Sequence, residues 1–236
     1  MMKTTAAAIA LLSIAFAISP AFTAPFSGFT PDQLPIPQIN PPVQPAGYAF
    51  AIWGVIYLWL IISGVFGLLK RSDAQDWHVA RKPLMVSLLI GVPWIAIATN
   101  SAIWATVTII LMAIGAIGAL ILAPKRDRWL FQAPVALYAG WLTAASWVSI
   151  ATTAAGYGVL FDQFTWAIVA IICALGIALF VLSQRRTAPE YLISIIWALI
   201  GIIVANGSEL ITISALAAVG AVALCGAGLR ALRRPA

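Results

Sequence analysis

Few side chains in this sequence are equipped for acid–base, metal or nucleophilic chemistry. Its 236 residues include seven Asp and Glu, one His and two Cys. No paired carboxylates, metal-spaced cluster, phosphate-cradling glycine loop or nucleophile–base pair can be picked out. His78 stands beside Asp76 and Trp77 in a polar stretch, where a lone histidine is usually just solvated. Cys173 and Cys225 lie inside apolar runs and read as small packing residues, not as a disulfide or metal site. Asp162 and Glu209 fall at the ends of apolar runs, so no carboxylate is placed where proton-coupled transport or intramembrane catalysis would need one. The expectation is a non-enzymatic protein that requires no metal and no cofactor.

The remaining chemistry is aromatic. The chain has ten Trp, ten Phe and five Tyr. One stretch, Pro41 to Leu69, reads PPVQPAGYAFAIWGVIYLWLIISGVFGLL. Wound as a helix, it puts Phe50, Trp53, Tyr57, Leu60, Gly64 and Gly67 on one face. The glycines predict close approach of another helix. The aromatics predict either packing or a pocket, and the pattern alone leaves both open. A second stripe carries Tyr138, Trp141, Ala145, Ser149 and Thr152. Trp94 and Asn100 belong to a third apolar run. Aromatic walls with sparse hydroxyl and amide anchors have the make-up of a small-molecule site. Trp59, Trp129 and Trp166 read as interfacial or lipid-facing, whereas Trp147 and Trp197 read as deeper.

Apolar helices must position these residues. The chain is 63% hydrophobic and 8% charged, against about 25% charged for a soluble domain. An all-α integral membrane protein follows, with the lipid bilayer as its first partner. Residues 4–19 are apolar after Lys3 and read as a retained first helix in preference to a secretory signal peptide. Residues 20–46 hold eight of the fourteen prolines and no Lys or Arg, which predicts a long extended or turn-rich loop. The second span is 48–69. A polar loop, 70–82, precedes Pro83, which suits a helix first turn. Residues 84–123 carry no charge. As one helix they would reach ~60 Å, twice a ~30 Å hydrocarbon core. A reversal at Thr99-Asn100-Ser101 divides them into spans 84–99, kinked at Pro93, and 102–123. Spans 132–154, 164–183, 191–205 and 210–229 follow.

The cations test this division. Counting Lys and Arg from the N-terminus through successive loops to the C-terminus gives 1, 0, 4, 0, 3, 0, 2, 0 and 3, which accounts for all thirteen. Eight spans therefore place every cation on one side, with both termini cytoplasmic by the positive-inside rule. Short clusters between apolar runs are topology signals. They form no aromatic-interleaved basic stripe, so nucleic acid is not an expected partner. In this orientation Phe50, Trp53, Trp94, Asn100, Trp141 and Ser149 gather in the outer half of the bundle. The predicted cavity there lies under the Pro-rich loop.

Two segments carry a family resemblance. Pro45-Ala46-Gly47-Tyr48-Ala49-Phe50-Ala51-Ile52-Trp53-Gly54-Val55-Ile56-Tyr57 resembles the loop-to-second-helix motif of the tryptophan-rich sensory proteins, the TspO/MBR or translocator-protein (peripheral benzodiazepine receptor) family. Ala136-Leu137-Tyr138-Ala139-Gly140-Trp141-Leu142-Thr143 is similar to its fifth helix. The resemblance covers roughly residues 1–155 as a five-helix bundle. Residues 156–236 then add three spans, as in a divergent, longer branch.

The resemblance implies a receptor-like membrane protein that binds porphyrins and other flat hydrophobic molecules. A tetrapyrrole is then the candidate ligand, and a second copy of the chain a candidate partner. The matching site residues are Pro45, Tyr48, Phe50, Trp53, Tyr57, Trp94, Asn100 and Trp141, to which the stripe on the fifth span adds Ser149. Transport of small apolar or amphipathic metabolites is the alternative, because three added spans would complete a path. Tetrapyrrole degradation, proposed for relatives, is a minor third. The expected location is a bacterial inner (plasma) membrane.

Overall fold

The computed structural model describes residues 2–233, and the described chain is helical with no strand. Nine α-helices follow one another: α1 (Met2–Ile18), α2 (Ile52–Lys70), α3 (Gln75–Gly91), α4 (Trp94–Ala98), α5 (Ala102–Ile121), α6 (Gln132–Gly156), α7 (Gln163–Gln184), α8 (Pro189–Asn206) and α9 (Ile211–Arg233). Seven segments are long and apolar enough to cross a membrane. The eighth predicted crossing comes in two pieces. Pro93 cannot donate a backbone hydrogen bond, and the helix breaks there between α3 and α4. One end of this broken helix lies near the Asp76–Arg126 ion pair, and the other is capped by the Pro-rich loop through Gln33 Nε2 to the Ala98 carbonyl at 2.8 Å. The pair therefore traverses the bundle as a single kinked crossing.

The polar segment 70–82 differs from its prediction. It is helical from Gln75, and Pro83 sits inside α3 instead of opening it. Packing explains the extension. Trp77, Ala80 and Arg81 are buried against neighbouring elements, with Trp77 edge-on to Phe131 at 4.8 Å. Arg81 donates to the carbonyls of Gly67 at 2.7 Å and Arg71 at 3.1 Å. Buried apolar contacts and a satisfied guanidinium outweigh the one hydrogen bond that Pro83 removes.

Helix α6 is the axis of the bundle and is buried over most of its length. It packs on α5, α7, α8 and part of α2. A helix surrounded by protein need not be compatible with lipid on any side, so α6 carries Gln132, Thr143, Ser146, Ser149 and Thr152 among small residues. At Gly140 its backbone runs so close to α8 that a Cβ would collide with the Tyr191 carbonyl and the Ser194 hydroxyl. On α2 the glycine half of the stripe behaves as predicted. A Cβ at Gly64 would come within 3.0 Å of the Ala10 backbone on α1, and one at Gly67 would meet Trp77 and Arg81. Gly115 likewise seats α5 against Pro83 and Ser87 of α3.

One end of the bundle collects the charges. Arg71 pairs with Asp127 at 2.7 Å, Arg126 with Asp76 at 2.7 Å, Arg128 with Glu190 at 2.6 Å and Lys3 with Asp73 at 3.5 Å. Arg185 donates to the Ala123 carbonyl and to Gln132 Oε1. The cation clusters before α3, before α6 and before α8 thus share this basic end. The Pro-rich loop covers the opposite end.

Candidate ligand cavity

At the loop end, α2 becomes aromatic above its glycines. A 3-10 turn, Gly47–Ala51, leads the chain into the helix. Phe50, Trp53 and Tyr57 then point toward a cavity of about 280 Å³, near the lower bound of ordinary small-molecule sites. The α2 stripe is therefore divided: its glycine half packs, and its aromatic half lines a pocket.

The aromatic rings build the walls. Trp53 stacks on Tyr57 with centroids 5.2 Å apart and an interplanar angle of 20°. Trp141 of α6 meets Phe50 edge-on at 6.0 Å. Phe16 of α1 contacts Trp53 at 5.7 Å, Tyr57 at 5.0 Å and Tyr138 at 5.8 Å. Toward the basic end, the Tyr138 and Ser87 hydroxyls lie 2.9 Å apart, and Ser87 also donates to the Met112 carbonyl. This buried pair lies behind Phe16, Trp53 and Met112, which line the cavity.

The loop forms the roof. Pro20, Pro25, Phe26, Phe29, Gln44 and Pro45 line the cavity from above. Phe26 packs edge-on against Trp94 at 5.2 Å. The roof is tied down at separate helices. The Ile36 N–H donates to Gly156 at 2.9 Å, the Ala46 N–H to Gly201 at 3.0 Å, and Asn206 Nδ2 to the Pro42 carbonyl at 2.8 Å. Gly28 turns at φ +131°, and a Cβ there would strike the Gln44 amide at 2.6 Å. Glycine alone suits that position.

Polar groups cluster on the α5–α6 side. Ser149 and Thr106 hydroxyls lie 2.7 Å apart, and Thr106 also reaches Thr153 at 2.8 Å. Thr152 lines the cavity with its hydroxyl buried and unpartnered. The Trp94 indole N–H is committed to the Ala105 carbonyl at 3.1 Å. The Trp53 and Trp141 indoles make no hydrogen bond among the described residues. Among the described residues, none that lines the cavity is charged. Among the described residues, no three His, Cys, Asp or Glu side chains come together to hold a metal.

Of the nine predicted site residues, the cavity brings together Pro45, Phe50, Trp53, Tyr57, Trp94, Trp141 and Ser149. Two lie elsewhere. Tyr48 precedes the α-helix in the 3-10 turn, is 44% exposed, and packs edge-on against Trp197 at 5.5 Å. Asn100 is exposed and folds back on its own turn, donating to the Ala96 carbonyl at 2.7 Å. Trp104, in the first turn of α5, also lies outside the cavity lining and is 63% exposed. Phe16 and the roof phenylalanines are additions. Phe16 is the only aromatic in the first span, surrounded by Ala and Ile, and that isolation was its one visible signal.

A family model described as TSPO-like protein matches residues 4–229. The chain belongs to the TSPO-like protein family. The TSPO-like match extends past residue 155 and takes in α7, α8 and most of α9; α7 and α8 pack on α6, and α9 packs on α7 and α8. Membership in this family points to a receptor- or transporter-like role in a membrane. Neither the curated proteins nor the solved structures contain a match.

Proposed function

We propose that this TSPO-like protein is a non-catalytic membrane sensor. It binds a flat hydrophobic small molecule of the tetrapyrrole class in the cavity beneath the Pro-rich loop. One observation carries the reading: the rings of Phe16, Phe50, Trp53, Tyr57 and Trp141 converge on a single cavity from α1, α2, α6 and the 3-10 turn that leads into α2. Planar π surfaces stack well on such rings. The basic end faces the cytoplasm of a bacterial plasma membrane, on the strength of the cation distribution. The test is a titration of the purified protein with protoporphyrin, followed by tryptophan quenching. Trp53→Leu and Trp141→Leu should each weaken binding several-fold. Binding equal to wild type in both variants overturns the assignment.

Passage of an apolar metabolite is the second reading, and it also has an observation behind it. Ala144, Val148 and Ala198 line the main cavity and also a smaller apolar groove between α6, α7 and α8. Three small or medium side chains separate the two spaces. Flux of a candidate substrate in liposomes favours passage, and tight binding without flux disfavours it.

A further inference from the structure

The cavity has an unused hydrogen-bonding group. A threonine within a helix ordinarily returns its hydroxyl to a carbonyl one turn back. Thr106, Thr108 and Thr143 do so, to Ala102, Trp104 and Ala139 at 2.8, 2.6 and 2.9 Å. Thr152 does not. It is 4% exposed, its hydroxyl is buried, and no partner lies within reach. Ser149, one turn earlier, is already committed to Thr106. A sealed hydroxyl that neither protein nor solvent satisfies is costly, and a ligand that supplies its partner recovers that cost.

Charge supplies the second constraint. Among the described residues, no Lys, Arg, His, Asp or Glu lines the cavity. The ion pairs of the basic end involve no residue that lines the cavity. A carboxylate or ammonium carried inward would lose its water without gaining a counter-ion.

We propose that Thr152 is the polar anchor of this cavity, and that the cavity selects an uncharged flat ligand bearing a hydrogen-bonding oxygen or nitrogen. This rests on the cavity being the binding site. Within the tetrapyrrole class it favours esterified or otherwise neutral side chains over free propionates.

Protoporphyrin IX and its dimethyl ester are the probes, since they share one ring and differ in charge. Each is titrated into wild type, Thr152→Val, Thr152→Ser and Trp141→Leu in the same lipid nanodiscs. Lipid partitioning is then common to all four proteins. Wild type should bind the diester about tenfold or more tighter than the diacid. Thr152→Val keeps the branched shape, removes the unsatisfied hydroxyl and should fold at least as stably. It should lose about three- to tenfold in diester affinity, the worth of one hydrogen bond. Thr152→Ser should stay within about twofold of wild type. Diester binding unchanged in Thr152→Val, or a diacid bound tighter than the diester, overturns the anchor. If Trp141→Leu abolishes binding while Thr152→Val does not alter it, the cavity stands and the anchor alone falls. If Trp141→Leu changes nothing, the cavity reading fails and the anchor fails with it.

Discussion

Trp53 and Trp141 meet edge to face, with ring centroids 6.3 Å apart and planes at 85°. They come from α2 and α6, which touch over only part of their lengths. Two perpendicular indoles make a corner. A flat molecule can stack on one ring while its rim contacts the face or edge of the other. The two tryptophans should therefore act together in binding.

A double-mutant cycle tests this. Trp53→Leu and Trp141→Leu should each cost about 1–2 kcal/mol of binding free energy. The double variant should lose less than the sum, with a coupling of at least about 0.5 kcal/mol, because either single change already spoils the corner. Calorimetry is the suitable readout, since both changes remove fluorophores. Strict additivity would mean that the rings contact the ligand independently, or not at all.

Gly140→Ala should be among the most damaging single-methyl changes in the protein. The added Cβ meets the Tyr191 backbone carbonyl, which cannot rotate away as a side chain can. Helices α6 and α8 must separate, at a cost of about 1–3 kcal/mol or more. Thermal unfolding in detergent should show a clear fall in midpoint. Gly176→Ala in α7 is the control, because nothing lies within 4 Å of a Cβ there, and it should be neutral or slightly stabilising.

Much of this arrangement was legible in the sequence, for reasons specific to membranes. Lipid exposure demands uninterrupted apolar helices, so the crossings, the reversal at 99–101 and the break at Pro93 announced themselves through composition. On the α2 stripe the glycines announced close helix contact, because they carry no side chain, but the pattern did not decide whether the aromatics pack or line a pocket. Harder to see was which polar residues belong inside. Trp77 and Arg81 fall in a stretch that reads as a solvated loop, and only three-dimensional packing reveals that Arg81 is 1% exposed. Tyr48 and Asn100 lie outside the cavity lining for a local reason. A 3-10 turn and a helix end redirect side chains, and helical periodicity does not foresee this. Apart from Pro20, which sits in a short 3-10 turn, the roof residues that line the cavity lie on no regular element, so no periodicity could place them.

Arg81 has no carboxylate partner within salt-bridge distance among the described residues, and two backbone carbonyls take its protons instead. It also lies over the Trp77 ring, 5.2 Å from the centroid. Arg81→Met keeps most of the apolar stem but removes one of the two hydrogen bonds accepted by each of the Gly67 and Arg71 carbonyls, leaving them the Arg71 and Ala74 N–H groups. The expected loss is about 2–3 kcal/mol, from charge-assisted hydrogen bonds and the cation–π contact together. Arg81→Lys should not restore it, since one ammonium cannot reproduce the planar fork that spans both carbonyls. Thermal unfolding of the two variants checks this, and a Lys variant as stable as wild type would contradict it.

Asp162 caps α7, accepting the Thr165 N–H at 2.8 Å. That backbone bond holds its carboxyl below the usual carboxylate range, with the Thr165 hydroxyl contributing next. A lowered folded-state value has a defined sign. The cap's contribution is fully present above the unfolded value near 3.9 and disappears as pH falls through the folded value. Amide protection over the first turn of α7, corrected for intrinsic exchange, should drop as pH falls below about 4. Asp162→Asn should cap at every pH and lose this dependence, because its amide oxygen accepts the same bond without titrating. An Asn variant that frays at low pH as wild type does would assign the effect to another group.

Asn206 holds the roof from the far side of the bundle. It lies at the end of α8, is 7% exposed, and donates through Nδ2 to the Pro42 carbonyl at 2.8 Å and to its own helix at Ile202. The Pro-rich segment has few internal backbone hydrogen bonds, so such outside ties determine whether it stays closed. Asn206→Leu should leave the cavity walls untouched, since Asn206 does not line them. It should nonetheless free the 41–46 end of the roof. Proteolysis within residues 20–46 should accelerate, and protoporphyrin should associate and dissociate faster with a smaller change in affinity. Gln33→Ala, which releases the other end of the roof from Ala98, should act in the same direction. Unchanged exchange rates in both variants would mean that the ligand does not pass beneath the loop, which would direct attention to the α6–α7–α8 groove instead.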